Sequence, residues 1–377
     1  MNIPKLRFKD NNGNDYPQWE KKKLGDIVQF LDNKRKPLEQ SERIHGKYPY
    51  YGASGIIDYI NNYIFDEELV LLSEDGANII DRNYPICYIA TGKYWVNNHA
   101  HVLKTKSQYL NKFLCEALER LNYNKYNTGT AQPKLNQDIC KNILLNIPIL
   151  HEQEKIANFF STIDKKIKNL ENTITSLENQ KKGLLQQIFS QKLRFKDKNG
   201  NNYPNWKKKK LGDLFTIKAG GDINKENFSE QYSIEFKYPV YANALTNNGL
   251  YGYSNIYKID KPSITVTGRG INVGFALSRE PFYYPIVRLL VLIPNININF
   301  TFFTESINFI HIFNESTGVP QLTAPQLSKV NIYVPNIEEQ NKIGNLFDKL
   351  NEKIDNKKAQ LEHWQQIKKG LLQQMFV

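Results

Sequence analysis

The chain has 377 residues, of which 40% are hydrophobic and 12% aromatic, so it can build two packed domains. Fifty Lys and Arg residues against 38 Asp and Glu give a net charge of +12, which favours a polyanionic partner, either nucleic acid or an anionic membrane face. No stretch approaches the ~20 apolar residues of a membrane span, and the first residues lack the apolar core of a signal peptide, so we expect a cytoplasmic protein.

Residues 1–150 mix strand and helix signals. Short apolar runs rich in β-branched and aromatic residues predict strands over 68–72 and 86–90, and an amphipathic pattern predicts a helix over 110–121. We therefore predict an α+β domain with a small, strongly bent sheet.

A long helical pattern follows over 151–192. Its apolar residues alternate steps of four and three, which is the a/d seam of a coiled coil. The seam consists of Ile156, Phe160, Ile163, Ile167, Leu170, Ile174, Leu177, Leu184 and Ile188, with Lys181 as a polar interruption. An ordinary core helix is the alternative interpretation, although a run this long without proline is unusual for one.

The chain then repeats itself. Leu193-Arg194-Phe195-Lys196-Asp197 matches the start of the first copy at Leu6, and the Lys-Lys-Gly-Leu-Leu-Gln-Gln motif at Lys181 recurs at Lys368, both at an offset of 187 residues. The segments between these ends diverge, so we expect two domains of the same fold that bind different things. In the second domain, 193–335, strands are predicted over 263–267 and 286–291 and a helix over 302–313.

Residues 336–377 carry a second seam in the same register. It consists of Ile343, Phe347, Leu350, Ile354, Leu361, Trp364, Leu371 and Met375, with polar interruptions at Lys357 and Lys368. If a two-fold axis relates the copies, the two helices are antiparallel. The seam from Ile156 to Ile188 predicts a rod of ~48 Å at ~1.5 Å per residue, somewhat longer than a B-DNA turn of ~34 to 36 Å.

The order of domain, seam helix, domain and seam helix, with these motifs at the domain starts and helix ends, resembles the specificity subunit of type I restriction-modification systems over essentially the whole chain. The resemblance implies two target-recognition domains that each read one half of a bipartite site in double-stranded DNA. It also implies that the helices set the gap and dock methyltransferase (M) subunits, two in number, which use S-adenosylmethionine. Restriction (R) subunits that use ATP and Mg would complete the complex.

Signatures of catalysis are missing from the sequence. It contains no Asn/Asp-Pro-Pro-Tyr motif of an adenine methyltransferase and no Gly-x-x-x-x-Gly-Lys-Ser/Thr phosphate loop. We therefore expect a non-catalytic subunit that holds no cofactor itself. Two rival functions stay open: a methyltransferase or nuclease with an unrecognised site, and a coiled-coil adaptor that binds proteins instead of DNA.

Candidate DNA contacts lie in turns with glycine, Asn or aromatic residues. In the first domain they are Tyr51, Ser54, Asp75, Lys93, Tyr94, Asn97 and Asn98, and in the second they are Lys218, Tyr241, Asn243, Asn247, Arg269 and Asn272. Asn suits adenine, and Arg269, set between two glycines, can donate two bonds to guanine O6 and N7. Asp75 stands in the corresponding loop of the first domain, where an acid accepts from cytosine N4. A tight structural turn or solvated loop is the alternative for each of them, and the lysine runs 21–23 and 207–210 either grip phosphate or form a solvated face.

Metal binding has weak support. His99 and His101 form a His-x-His pair, but no acidic or cysteine partner lies beside it in the sequence, so a structural role is favoured. Cys87, Cys115 and Cys140 are scattered and predict neither a disulfide framework nor a zinc site.

Overall fold

The computed structural model describes residues 4–107, 109–270, 272–310, 312 and 321–376. The chain divides into two compact units: unit 1 consists of Met1–Glu171 and Ala359–Val377, and unit 2 of Asn172–Lys358. Among the described residues, no helix is both long and apolar enough to cross a bilayer.

The described residues of unit 1 form ten strands and four short helices before the first long helix begins. In chain order they are β1 (Glu20–Lys23), α1 (Leu24–Ile27), β2 (Val28–Phe30), β3 (His45–Gly52), β4 (Gly55–Ile60), β5 (Phe65–Asp66), β6 (Leu69–Ser73), α2 (Asn78–Asp81), β7 (Cys87–Ala90), β8 (Lys93–Val96), β9 (Ala100–Thr105), α3 (Asn111–Arg120), α4 (Gln137–Lys141), β10 (Leu144–Ile147) and α5 (Leu150–Phe189). Three small sheets result, with orders β2-β9-β6-β7, β4-β3-β8-β5 and β1-β10. The apolar strand β6 is buried along its whole length, because α3 covers one face of its sheet and the second sheet covers the other.

Unit 2 repeats this plan. Its elements are β11 (Lys207–Lys210), α6 (Leu211–Leu214), β12 (Phe215–Ala219), β13 (Phe228–Ser229), β14 (Tyr238–Tyr241), β15 (Leu250–Ser254), β16 (Ser263–Val266), β17 (Ala276–Arg279), β18 (Tyr284–Pro285), β19 (Leu290–Pro294), α7 (Phe300–Ile310), α8 (Ala324–Ser328), β20 (Asn331–Val334) and α9 (Ile337–Met375). The sheet β12-β19-β16-β17 matches β2-β9-β6-β7 strand for strand. In the other large sheet, β15-β14-β18 matches β4-β3-β8, including the parallel pair, but the fourth strand lies at the opposite edge.

The two long helices are shared between the units. α5 begins in unit 1 and ends in unit 2, and α9 does the reverse. Within unit 1 the two segments run antiparallel, because Phe160 contacts Phe376 while Asp164 pairs with Lys368. Unit 2 shows the same direction, since Glu178 pairs with Lys358 and Phe189 stacks on Phe347. All the predicted seam residues are buried or half-buried.

The repeated motifs at the start of each domain are hydrogen-bonded to the first turn of the long helix that follows the domain. In unit 1 the Arg7 guanidinium donates to both oxygens of the fully buried Glu152, at 3.0 and 2.7 Å, and Trp19 Nε1 donates to the same carboxylate at 3.0 Å. In unit 2, Arg194 and Trp206 hold Glu339 in the same way. The repeated residues therefore build the framework.

The polar interruptions Lys181 and Lys368 are half-buried ion-pair partners. Lys368 Nζ lies 3.1 Å from Glu116 of α3 and 2.8 Å from Asp164, and Lys112 pairs with both of these acids. In unit 2, Lys181 Nζ lies 2.6 Å from Glu305 of α7. The first lysine of each Lys-Lys-Gly-Leu-Leu-Gln-Gln motif thus forms an ion pair with the helix, α7 or α3, in the domain of the other copy.

Two predicted elements differ from the structure. The strand predicted over 286–291 is wrong over 286–289, because Val287 and Arg288 take left-handed φ angles of 52° and 59° and separate β18 from β19, which begins at Leu290. The helix predicted over 302–313 begins earlier, at Phe300, and ends at Ile310, and Phe313 lies outside the described residues.

Candidate nucleic-acid interface

Three turns meet at one end of the sheets in unit 1. We call residues 52–55, 73–76 and 97–99 edge 1. The Ser73 hydroxyl donates to the carbonyl of Ala53, the amide of Asn97 donates to the Tyr51 carbonyl at 3.0 Å, and the amide of Glu74 donates to the His99 carbonyl at 2.9 Å. These bonds fix the turns against one another, so their outward side chains form one surface.

Unit 2 brings the equivalent turns together. We call residues 242–249, 267–270 and 286–289 edge 2. The amide of Ile286 donates to the Tyr241 carbonyl at 2.9 Å, and the amide of Gly268 donates to Asn243 Oδ1 at 2.8 Å. Position 268 needs glycine, because a Cβ there would stand 2.7 Å from the carbonyl oxygen of Arg288.

Strand registers show which positions of the two edges are equivalent. Leu72 of β6 faces Cys87 and His101, and Val266 of β16 faces Ala276 and Leu290, so Asp75 and Arg269, three residues on, correspond. Each also forms an isolated bridge to the segment before the next short helix, Asp75 with Lys134 and Arg269 with Gln321. By the same registers, His99 corresponds to Arg288.

The two edges carry different charges at these positions. In unit 1, His99 Nδ1 lies 2.8 Å from the Asp75 carboxylate, so the two side chains form a pair. In unit 2, both positions hold exposed arginines, and neither guanidinium has a hydrogen-bond or ion-pair partner among the residues the structure describes. One framework thus presents an acid and a histidine on one unit and two cations on the other.

A charged cluster lies beneath edge 1. The carbonyl of Leu135 lies 2.7 Å from Nε2 of the buried His101, and Asp32 Oδ2 lies 2.6 Å from its Nδ1. Both neighbours accept, so both ring nitrogens donate and the ring is charged. Burial alone lowers the pKa of His101, but hydrogen bonding to Asp32 and further polar contacts raise it to about 10. Arg35 Nη1 adds a second positive charge, 2.6 Å from Glu74.

The spacing of this cluster would suit a metal ion. One ligand atom from each of Asp32, Glu74 and His101 lies within 4.8 Å of the others. The protonated ring of His101 and the guanidinium of Arg35 oppose a cation at this place. The sequence shows no acid beside the His-x-His pair, but the fold brings an acidic partner to both histidines, Asp75 to His99 and Asp32 to His101.

Unit 2 replaces this cluster with small and apolar residues. Register places Ala219, Gly268 and Leu290 where unit 1 has Asp32, Glu74 and His101. A different cation is buried in unit 2: Arg279 lies 3.8 Å from the ring centroid of Tyr241 and donates to Thr265 Oγ1 at 2.9 Å. Burial lowers the pKa of Arg279.

The family model for the type I restriction modification DNA specificity domain matches the chain twice, over residues 16–179 and 203–364. The chain belongs to this family.

Relatives of these specificity domains align along most of the chain. A protein named as a type I specificity subunit from Mycoplasma pneumoniae is 26% identical, with 87% of this chain and 88% of the relative covered. The specificity subunit of the type I restriction enzyme MjaVIII from Methanocaldococcus jannaschii is 23% identical, with 97% and 94% covered. The solved S subunit of a type I restriction-modification system from M. genitalium has a TM-score of 0.72 at 18% identity, with 100% and 99% of the two chains covered, and therefore shares the fold.

In the first specificity domain, the predicted contact residues divide by exposure. Ser54 and Asn98 are exposed at edge 1, Asp75 is half-buried there, and Tyr51 stacks on Tyr88 behind the edge. Lys93 is exposed at the start of β8, 3.9 Å from Asp66.

Two predicted contacts of this domain need correction. The side chain of Tyr94 is fully buried between Tyr51 and Phe65, and that of Asn97 is 4% exposed and accepts from the amide of His99 at 2.8 Å. Both therefore serve packing and turn geometry in this structure, because a base edge cannot reach them.

In the second specificity domain, most of the predicted residues lie at or beside edge 2. Arg269, Asn247 and Lys218 are exposed, while Asn243 is half-buried and bonded to Gly268, and Tyr241 lies under Arg279. Asn272 is exposed just beyond the edge, and Ile271, between it and Gly270, lies outside the described residues.

Arg288 was missed from the sequence. Its apolar neighbours predict a continuous strand, and neither Val nor Arg signals a left-handed turn. A search for lone cations between apolar runs would have flagged it.

Proposed function

We propose that this chain is a sequence-specific DNA-recognition subunit of a type I restriction-modification enzyme, in which each unit reads one half of a bipartite site. The positive net charge supports the attraction to DNA, and the turns of edges 1 and 2 supply the base-reading surfaces.

The observation that carries the proposal is the change of charge at equivalent edge positions. Asp75 with His99 in unit 1 offers acceptors to cytosine or adenine amino groups, whereas Arg269 with Arg288 in unit 2 offers donors to guanine or phosphate. The framework residues around them, Glu152 and Glu339 with their Arg and Trp partners, are the same in both units. Two domains that bind different half-sites require this arrangement, in which the framework residues repeat and the side chains at the DNA-facing edge differ.

The chain is proposed to be non-catalytic. Methyl transfer would belong to two methyltransferase subunits that use S-adenosylmethionine, and DNA cleavage to restriction subunits that use ATP and Mg. The seam helices α5 and α9 would set the gap between half-sites, and their outward faces would dock the methyltransferase subunits.

Binding selection with the partner-assembled complex tests this function. Duplexes with randomised sequence are bound at two salt concentrations, and the retained pool is sequenced. We expect two fixed segments separated by an unread gap, with affinity that falls as salt rises because phosphate contacts release counterions. A pool without fixed segments and with little salt dependence would instead identify a protein-binding adaptor.

The division of labour has its own test. The isolated chain should neither methylate nor cut DNA until methyltransferase partners are added. Methyl transfer or cleavage by the isolated chain would identify it as an enzyme with an unrecognised site.

A further inference from the structure

We infer that Arg288 and Arg269 together form a two-arginine DNA-contact site on edge 2, which binds electronegative acceptors on a guanine edge or a backbone phosphate. The inference rests on the proposed function and extends it to a residue outside the predicted contact set.

The backbone presents Arg288 in an unusual conformation. Val287 and Arg288 both have left-handed φ angles, which a β-branched residue such as valine rarely adopts. Hydrogen bonds hold the turn in place: the amides of Val287 and Arg288 donate to the carbonyls of Gly221 and Gly220, both at 3.1 Å, and Asn243 Nδ2 donates to the Val287 carbonyl. Strained turns persist where the surrounding structure over-determines them, and they cluster at functional sites.

The backbone segments that carry the two arginines lie close together. The close approach of Gly268 to the carbonyl oxygen of Arg288 brings the Arg269 and Arg288 segments together. Asn243 bonds both segments, because its Oδ1 accepts from Gly268 and its Nδ2 donates to Val287. Asn243 therefore holds the backbone segments of the two cations together, while no described residue bonds either guanidinium group.

No residue that the structure describes pairs with the charge of either arginine. In the equivalent pair of unit 1, His99 lies 2.8 Å from the acid Asp75, and register places Gly268 where unit 1 has a second acid, Glu74. Two neighbouring guanidinium groups repel each other unless an anion or a strong acceptor lies between them. DNA offers both kinds of acceptor, guanine O6 and N7 and the phosphate oxygens.

The test measures DNA binding by the complex of this chain with its methyltransferase subunits. Single-base variants of both half-sites are compared at two salt concentrations. Arg288→Ala and Arg269→Ala are compared with Lys329→Ala, an exposed lysine of unit 2 outside edge 2. If the contact is to guanine, each arginine variant loses about 5- to 150-fold discrimination at one position of one half-site, and Arg288→Lys does not restore it. If it is to phosphate, all sequences weaken alike, the salt slope falls by about 1, and Arg288→Lys retains most of the affinity.

A graft of the unit 1 pair gives a second test, because it replaces the two cations of edge 2 with the acid and histidine of edge 1. Arg269→Asp combined with Arg288→His should abolish the contact in unit 2 while the half-site read by unit 1 stays unchanged, which also shows that the complex is folded. Wild-type behaviour of Arg288→Ala on a complex that still selects a split site would overturn the two-arginine site alone. Failure of the wild-type complex to select any split site would overturn the proposed function itself.

Discussion

His101 is held charged beneath edge 1 by Asp32, while the equivalent position of unit 2 is the apolar Leu290. A folded pKa of about 10 exceeds the ordinary histidine value of about 6.5. Folding therefore favours the protonated ring, and its contribution to stability is complete below pH about 6.5 and is lost as pH rises toward 10.

The prediction is a pH-dependent stability difference. His101→Leu with Asp32→Ala copies the unit 2 residues Leu290 and Ala219. We expect the free energy of unfolding of the wild type relative to this variant to be largest near pH 6.5 and to shrink toward pH 10, as measured by urea denaturation at several pH values. The variant also lacks Asp32, but the pKa of this carboxyl is lowered and it stays ionised between pH 6.5 and about 10, so the pH dependence in this range reports His101. A difference independent of pH would show that His101 is neutral in the folded chain.

At the residue scale, the sequence predicted which positions of the two copies are equivalent better than it predicted which side chains are exposed. Tyr94 was wrongly placed at the surface because β8 is covered on both faces, so alternation along the strand no longer separates inside from outside. Arg269 and Asp75 were correctly paired as equivalents, because the apolar strand before each loop gives a local reference. Partners distant in sequence, such as Asp32 for His101, carry no local signal.

At the scale of helices, the ion pairs of Lys181 and Lys368 explain why charged residues interrupt the apolar seams. Lys368 shares Glu116 and Asp164 with Lys112. Lys181 pairs with Glu305, which also accepts from Asn351 Nδ2 at 3.2 Å. Ion pairs between a half-buried lysine and a buried acid can fix helix register.

Removal of the two lysines should have unequal effects. Lys181→Met leaves Glu305 without a cation and should cost about 3 to 5 kcal/mol of unfolding free energy, whereas Lys368→Met should cost less because Lys112 still neutralises Glu116. The double variant Lys181→Met with Glu305→Leu should recover much of the loss. Urea denaturation of the full chain measures all three, and equal costs for the two lysines would contradict the asymmetry.

The seam helices themselves are expected to act as a ruler. Deleting seven residues from both helices, within 170–177 and 357–364, preserves the a/d pattern and shortens each by about 10 Å. The gap between half-sites should then shorten by about three base pairs at ~3.4 Å per pair, while the half-sites stay the same. An unchanged gap in a folded variant, determined by binding selection, would show that the helices are not the spacer.

At the scale of the whole molecule, the internal repeat allowed the domain architecture to be predicted from the sequence. Matching motifs at an offset of 187 residues predict two copies of one fold, and two seams of equal register predict paired helices. The structure adds that each compact unit takes the start of one long helix and the end of the other. No local sequence pattern predicts this division, because it depends on which domain helix, α3 or α7, contacts each Lys-Lys-Gly-Leu-Leu-Gln-Gln motif.

The central claim is that two units of one framework read two different half-sites. Methylome sequencing of a host that expresses this chain with its methyltransferase subunits tests it most directly, with a host lacking the chain as control. The account predicts one methylated motif made of two short, different sequences separated by a fixed unread gap, present only when the chain is expressed. A continuous motif, or methylation unchanged by the chain, would contradict it.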